Sequence, residues 1–146
     1  MKIKKLIGRI HLWLGLSSGL VVFVVAITGC LYAFQDEIKN MTQSYRVIEP
    51  QDKPVLPPSR IQAIAKEQLP DKQVHAILYP QPGYTAKAIF YNDTAGYYYF
   101  VYVNQYTGEV VKVKNEYNDF FRFILDGHFY LWLPKYSPRT RWHLWQ

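Results

Sequence analysis

A chain of 146 residues with 49% apolar side chains has room for one domain, or one domain plus a membrane segment, and its totals alone announce no membrane protein. Its formal charge of +6 comes from dispersed Lys and Arg that cluster only at the two ends, around Lys2, Lys4, Lys5 and Arg9 and again around Lys135, Arg139 and Arg141. Both clusters adjoin apolar or aromatic stretches, which suits phospholipid headgroups and speaks against nucleic acid as a partner, and the single Cys30 excludes a disulfide framework or a thiolate metal site within the chain.

The first predicted element is a membrane-crossing helix over Ile10–Phe34, preceded by a basic leader at 1–9. This stretch contains no Asp, Glu, Lys or Arg. At 1.5 Å per residue it reaches roughly 37 Å, enough for a ~30 Å hydrocarbon core with some tilt. Its Leu, Ile, Val and Phe side chains together favour insertion by something on the order of 4–8 kcal/mol. The run is longer than the apolar region of a cleaved signal peptide. Ile27-Thr28-Gly29-Cys30 has the look of a lipobox, but Leu31-Tyr32-Ala33-Phe34 continue the apolar run where a lipoprotein should turn polar. Cations precede the helix and Asp36 and Glu37 follow it, so the positive-inside rule puts Met1 in the cytoplasm and the chain from residue 36 onward outside, which in a bacterium is the periplasm. One face is small: His11, Gly15, Ser18, Gly19, Ala26, Gly29, Cys30 and Ala33 fall near one stripe, with Gly15 and Gly19 in close-approach spacing. Such a stripe accepts a neighbouring membrane helix or a flat cofactor beside His11.

Residues 35–58 read as a linker, with Pro50, Pro54, Pro57 and Pro58 in its second half. A short helix is expected next, with Ser59 as N-cap, Ile61, Ile64 and Ala65 on its apolar side, and Pro70 ending it. Four strand-like runs follow near 74–80, 85–91, 97–104 and 109–114, separated by turn-rich breaks. Ala86, Ala88 and Phe90 alternate with Lys87 and Tyr91. The order predicts an α+β fold: one helix on a four-stranded antiparallel sheet over 59–115. Residues 116–146 read as an amphipathic, aromatic-rich interfacial helix leading toward a second membrane span.

Two signatures resemble a known family. Val101-Tyr102-Val103-Asn104 with Tyr106-Thr107-Gly108-Glu109-Val110 is similar to the hairpin signature of the PepSY domain. Arg9-x-His11-x-Trp13-Leu14-Gly15-Leu16-x-x-Gly19, continuing through Thr28-Gly29 to Phe34, resembles the first helix of PepSY-associated transmembrane proteins. The resemblance implies an inner-membrane protein of iron acquisition, in some members a haem-containing reductase of ferric siderophores. Family members have further membrane helices, so the chain is expected to correspond to an N-terminal portion, with its remaining helices as partners alongside membrane lipid and a ferric siderophore.

Histidines are the candidates for chemistry, since no nucleophile–base pairing, Gly-rich phosphate loop or metalloprotease HExxH occurs. His75, at a strand start, reads as a surface residue. His11 sits in apolar sequence at the inner edge of the crossing helix, where an ionisable residue is a functional candidate. On a helix, Phe121, Leu125, His128 and Trp132 share a face, which points His128 into aromatic surroundings. By the resemblance, His128 matches the histidine that follows the PepSY domain, which implies an axial haem ligand. His143, within Arg141-Trp142-His143-Leu144-Trp145, is a weaker ligand candidate and reads as an aromatic-belt residue. Along a straight helix His11 and an outside His128 stand about 25–30 Å apart, too far to share one iron. The two expected functions are therefore haem-based electron transfer across the membrane toward a ferric chelate, with His11, His128, Gly15 and Gly19 around the cofactor, and a non-enzymatic PepSY module. The second would bind a peptide or protein on an exposed face or edge made by Tyr97, Tyr98, Tyr99 and Tyr102.

Overall fold

A computed structural model describes residues 2–134. His143 and the cations Lys135, Arg139 and Arg141 lie outside the described residues, as does the end of the helix expected over 116–146. The chain divides into two compact units: Phe34–Arg122, and a second made of residues 1–33 with 123–146.

In the second unit the apolar run forms one uninterrupted helix, α1, Lys2–Ala33. It starts earlier than the run predicts, because the Lys, Leu and Ile of Lys2–Arg9 extend a helix readily and the single Gly8 does not stop it. Its length is about 48 Å, longer than the ~30 Å hydrocarbon core of a bilayer. The apolar stretch Ile3–Ala33 has a mean hydropathy of 2.2 in its most apolar window and leaves Leu12, Trp13, Leu14, Leu20, Val22 and Phe23 exposed, as a lipid-facing helix must. The helix passes through Cys30 without a break.

The other unit begins with α2, Gln35–Thr42, and a 3-10 turn, Ser44–Arg46. Both fall where a linker is expected. The difference has a non-local cause: Arg46 is buried, its Nη2 donates to Asp36 Oδ1 at 2.8 Å, and its carbonyl accepts from the Thr85 amide at 3.0 Å. Ile48 then donates to the Gly83 carbonyl, and Val47 bridges Tyr84. The segment thus runs antiparallel to the start of the sheet's second strand.

Helix α3, Pro58–Gln68, starts one residue before the expected cap. Pro57 occupies the N-cap with no side-chain bond, and Pro58 takes the first helical position, where its missing N–H costs nothing. Four strands follow: β1 Ala76–Leu78, β2 Ala86–Asn92, β3 Tyr97–Val103 and β4 Val110–Asn115, antiparallel and in sequence order across the sheet. Ala86, Ala88, Phe90, Val101 and Val103 point to one face and pack with Ile61 and Ala65 of α3, all at 0% exposure. The α+β arrangement expected from the alternation is the one present.

The β3–β4 hairpin explains the Asn104–Glu109 signature. Asn104 Oδ1 accepts from the amides of Tyr106 and Thr107, and Gly108 donates to the Asn104 carbonyl at 2.8 Å. Gly108 has φ +81, and a Cβ there would come within 2.9 Å of Ile64 Cδ1 and 3.2 Å of Leu56 Cδ1. Only glycine serves both demands.

The four strand tyrosines do not share a face. Tyr97 and Tyr99 lie against the α3-side core beneath Lys72, Tyr98 points to the opposite face, and Tyr102 is 3% exposed. The single tyrosine recognition face expected from sequence is therefore replaced by two faces, as strand alternation requires.

Helix α4, Phe120–Tyr130, is capped by Asp119, whose Oδ1 accepts from the Phe121 amide at 2.8 Å. It ends sooner than expected: Leu131 and Trp132 take φ of +50 and +55, and the chain turns back on itself. Trp132 leaves the helical face assigned to it, stacks on Phe123 at 5.1 Å, and donates from Nε1 to the Phe123 carbonyl at 3.0 Å.

Candidate functional site

Among the described residues, the α1 unit holds polar contacts between segments a hundred residues apart. Thr28 is 4% exposed, and its hydroxyl donates to the Val24 carbonyl at 2.7 Å, one turn back along α1. His128, on α4, lays its imidazole across the same turn. Its Nδ1 is 3.1 Å from the Val25 carbonyl and 3.3 Å from Thr28 Oγ1. Gly29 makes this possible, since a Cβ there would stand 3.0 Å from His128 Cε1.

Two of these partners fix the proton. A carbonyl oxygen only accepts, so the nitrogen facing Val25 must donate; Thr28, whose hydrogen is committed to Val24, accepts as well. In the neutral ring, Nδ1 then carries the hydrogen and Nε2 holds the lone pair. Metal-bound histidines are commonly arranged so, with the far N–H anchored to a carbonyl that orients the ring and raises its basicity. His128 is half-buried and has Phe129 edge-on at 5.3 Å.

His11 lies on the exposed surface of α1, fourteen to seventeen residues before the Val25–Thr28 turn, or roughly 21–26 Å along the helix axis. The two histidines are not brought together. Gly15 and Gly19 face open space: nothing stands within 4 Å of a Cβ placed on either. Among the described residues, no three His, Cys, Asp or Glu side chains converge as a bare metal ion would require.

Sequence reasoning did not find Val25 and Thr28. Thr28-Gly29 belongs to the helix signature, but nothing local says which distant side chain the glycine makes room for.

The sheet unit has its own polar centre. Lys114 Nζ is hydrogen-bonded to Asp119 Oδ2 and lies 3.3 Å from Glu116 Oε1, whose buried oxygen has this ion pair as its partner; Lys39 of α2 lies 3.6 Å from Asp119 Oδ1. Burial raises the Asp119 carboxyl, but the Lys114 hydrogen bond, the Phe121 amide and the Lys39 charge outweigh it and hold it below the ordinary value. Burial likewise opposes the Lys114 charge, and Asp119 and Glu116 more than restore it. Burial holds the Tyr102 phenol well above its usual range.

Two recesses among the described residues of this unit are large enough to compare. One, of about 460 Å³, is lined by Ile89, the rings of His75, Tyr91, Tyr98 and Tyr117, and the charged Asp93 and Arg122. Its rings form an edge-to-face chain, His75–Tyr91 at 6.0 Å, Tyr91–Tyr98 at 5.4 Å and Tyr98–Tyr117 at 6.0 Å. His75 is exposed there, as its position at the strand start suggests. The other, of about 270 Å³, is lined by Asp36, Asn40, Arg46, Pro80, Gln81, Tyr84 and Lys87.

A long lipid-exposed helix followed by an α3-on-sheet module with the Asn104–Glu109 hairpin defines a membrane-associated PepSY protein. The family model described as the PepSY-associated TM region matches residues 9–140, and the chain belongs to that family. A search of curated protein sequences found no match.

Proposed function

We propose that the chain is a membrane-anchored PepSY module that holds haem through His128 and takes part in moving electrons across the membrane toward a ferric chelate, in the manner of a ferric-siderophore reductase. The observation that carries this reading is the hydrogen bond from His128 Nδ1 to the Val25 carbonyl, which orients the ring and leaves Nε2 as the ligating nitrogen. The donor set fits haem better than a bare ion: porphyrin supplies four nitrogens of its own, so one protein histidine is a sufficient anchor. Haem, when bound, supplies one-electron redox chemistry. The protein's part is placement. Gly29 lets the imidazole lie close to α1, and Val25 with Thr28 sets its tautomer.

His11 is the second ligand candidate. Its separation from His128 along α1 means that the two would serve different haems, one toward each leaflet, with other membrane helices completing each site. The N-terminus would lie in the cytoplasm and the PepSY module in the periplasm of a bacterial inner membrane, in keeping with the charges that flank α1.

The test is absorption spectroscopy of the protein in membranes before and after dithionite. A reducible haem spectrum that loses its His128-bound component in His128→Ala supports the reading. No such spectrum, or one that His128→Ala leaves untouched, overturns it.

A second reading, a binding module for a peptide or protein partner, is favoured by the aromatic recess around Tyr91 and Tyr98. Capture of a partner that Tyr91→Ala abolishes and His128→Ala does not would favour it.

A further inference from the structure

The smaller recess of the sheet unit is built unlike the aromatic one. Arg46, 8% exposed, and the half-buried Lys87 both face it, with Tyr84 and Asn40 between them. Asp36 alone supplies a negative charge, and it is already bound to Arg46 Nη2 while its own side chain is 73% exposed. Among the described residues Lys87 makes no ion pair; its ammonium stands 6.0 Å over the Phe100 ring. Two cations thus share a recess with one carboxylate at its rim. Burying a cation that lacks a counter-charge is costly, and an anion seated between the two would offset that cost.

Tyr84, whose hydroxyl lies 3.5 Å from Asn40 Nδ2, lines the recess with the two cations. The recess thus offers a guanidinium fork and an ammonium. That set matches the several oxygens of a phosphate group better than the two of a carboxylate.

We propose that this recess binds a phosphate group through Arg46 and Lys87. A phospholipid headgroup is one source and free phosphate the other. The headgroup is within reach by chain connectivity: α2 starts two residues after α1 ends, and Asn40 follows Ala33 by seven residues of chain. The low proton affinity of Lys87, caused first by burial and then by the Arg46 charge, agrees with a cation waiting for an anion.

The experiment uses the full chain in nanodiscs, with Lys87→Gln compared to Lys112→Gln, which removes the same charge from an exposed position on β4. In phosphatidylcholine discs, inorganic phosphate is titrated calorimetrically against chloride of equal ionic strength. In discs containing phosphatidylglycerol as a minority lipid, the lipid retained after extraction is counted by native mass spectrometry. Saturable binding of phosphate, or selective retention of phosphatidylglycerol, weakened about tenfold or more by Lys87→Gln and not by Lys112→Gln, supports the site. Retention without phosphate binding assigns it to the headgroup, and the converse to the free ion. Neither signal in the parent chain, or equal losses in both variants, overturns the proposal. Thermal unfolding of each variant identifies any that fails to fold; Lys87→Met then repeats the test.

Discussion

On the α1 unit, two glycines sit under rings that a larger residue would displace. A Cβ on Gly127 would fall inside the indole of Trp132, which stacks on Phe123 and donates to its carbonyl. Losing the stack and the bond costs about 1–3 kcal/mol, while replacing a mid-helix glycine with alanine returns about 1. Gly127→Ala is therefore expected to lower overall stability by no more than about 2 kcal/mol but to expose the Trp132 ring. The emission difference between Gly127→Ala and its Trp132→Phe double variant checks this; it should shift to the red of the parent difference. Gly29 supports His128 in the same way. Gly29→Leu should push the imidazole off the Val25 carbonyl, so that a slowly exchanging Nδ1–H, expected in nitrogen-15 NMR of the parent chain, disappears. Gly19→Leu, which meets open space, should leave it. This result does not depend on haem, so it separates a wrong ring position from a wrong cofactor.

At the level of elements, the charged cluster of Lys39, Lys114, Glu116 and Asp119 connects α2, β4 and the start of α4. Its pH dependence has a definite sign. Asp119 is held below 3.8, so its contribution is present above that value and is lost as pH falls through its folded pKa. The exposed Asp36, lowered by its Arg46 hydrogen bond, adds weakly to the same limb. Lys114 is held above 10.5, so its contribution is present below that value and is lost as pH rises. Tyr102, kept neutral by burial, steepens the alkaline loss from about pH 10. Unfolding midpoints across pH should show a plateau between roughly 4 and 10 that falls at both ends. Asp119→Asn should flatten the acid limb and Lys114→Gln the alkaline one; limbs unchanged by both substitutions would remove the cluster from the account. Little of this network was legible beforehand. The strands were, because Ala86, Ala88 and Phe90 are buried on one face and alternation records that directly. The docking of residues 35–48 was not, because a proline-rich stretch looks the same in sequence whether or not Thr85 and Gly83 wait to bond it. The tyrosines misled for a related reason: consecutive residues on a strand cannot form one surface, and Tyr102 is covered by contacts that its neighbours in sequence do not reveal.

For the molecule as a whole, the side of the membrane on which the sheet unit lies decides whether a ferric chelate outside could meet the module at all. The charges that argue for it are local: Lys4, Lys5 and Arg9 lie in the first turns of α1, and Asp36 and Glu37 in the first turn of α2. Positive-inside orientation weighs cations near the span ends far more than acids, so the basic end governs and the chain beyond Ala33 is expected outside. Cys30 can be replaced by alanine without changing the small character of its position, which frees the chain for single-cysteine labelling. Ser59→Cys in that background, an exposed position on α3, should react with a membrane-impermeant maleimide in intact spheroplasts, and Lys5→Cys should react only after lysis. The reverse pattern would place the sheet unit in the cytosol. His128 could then still hold haem against the Val25 turn, because that contact is internal to the α1 unit, but electrons reaching it would be on the wrong side to reduce an extracellular ferric chelate. The proposed haem site and the proposed direction of electron flow therefore stand or fall separately, the first by His128→Ala and the second by this labelling.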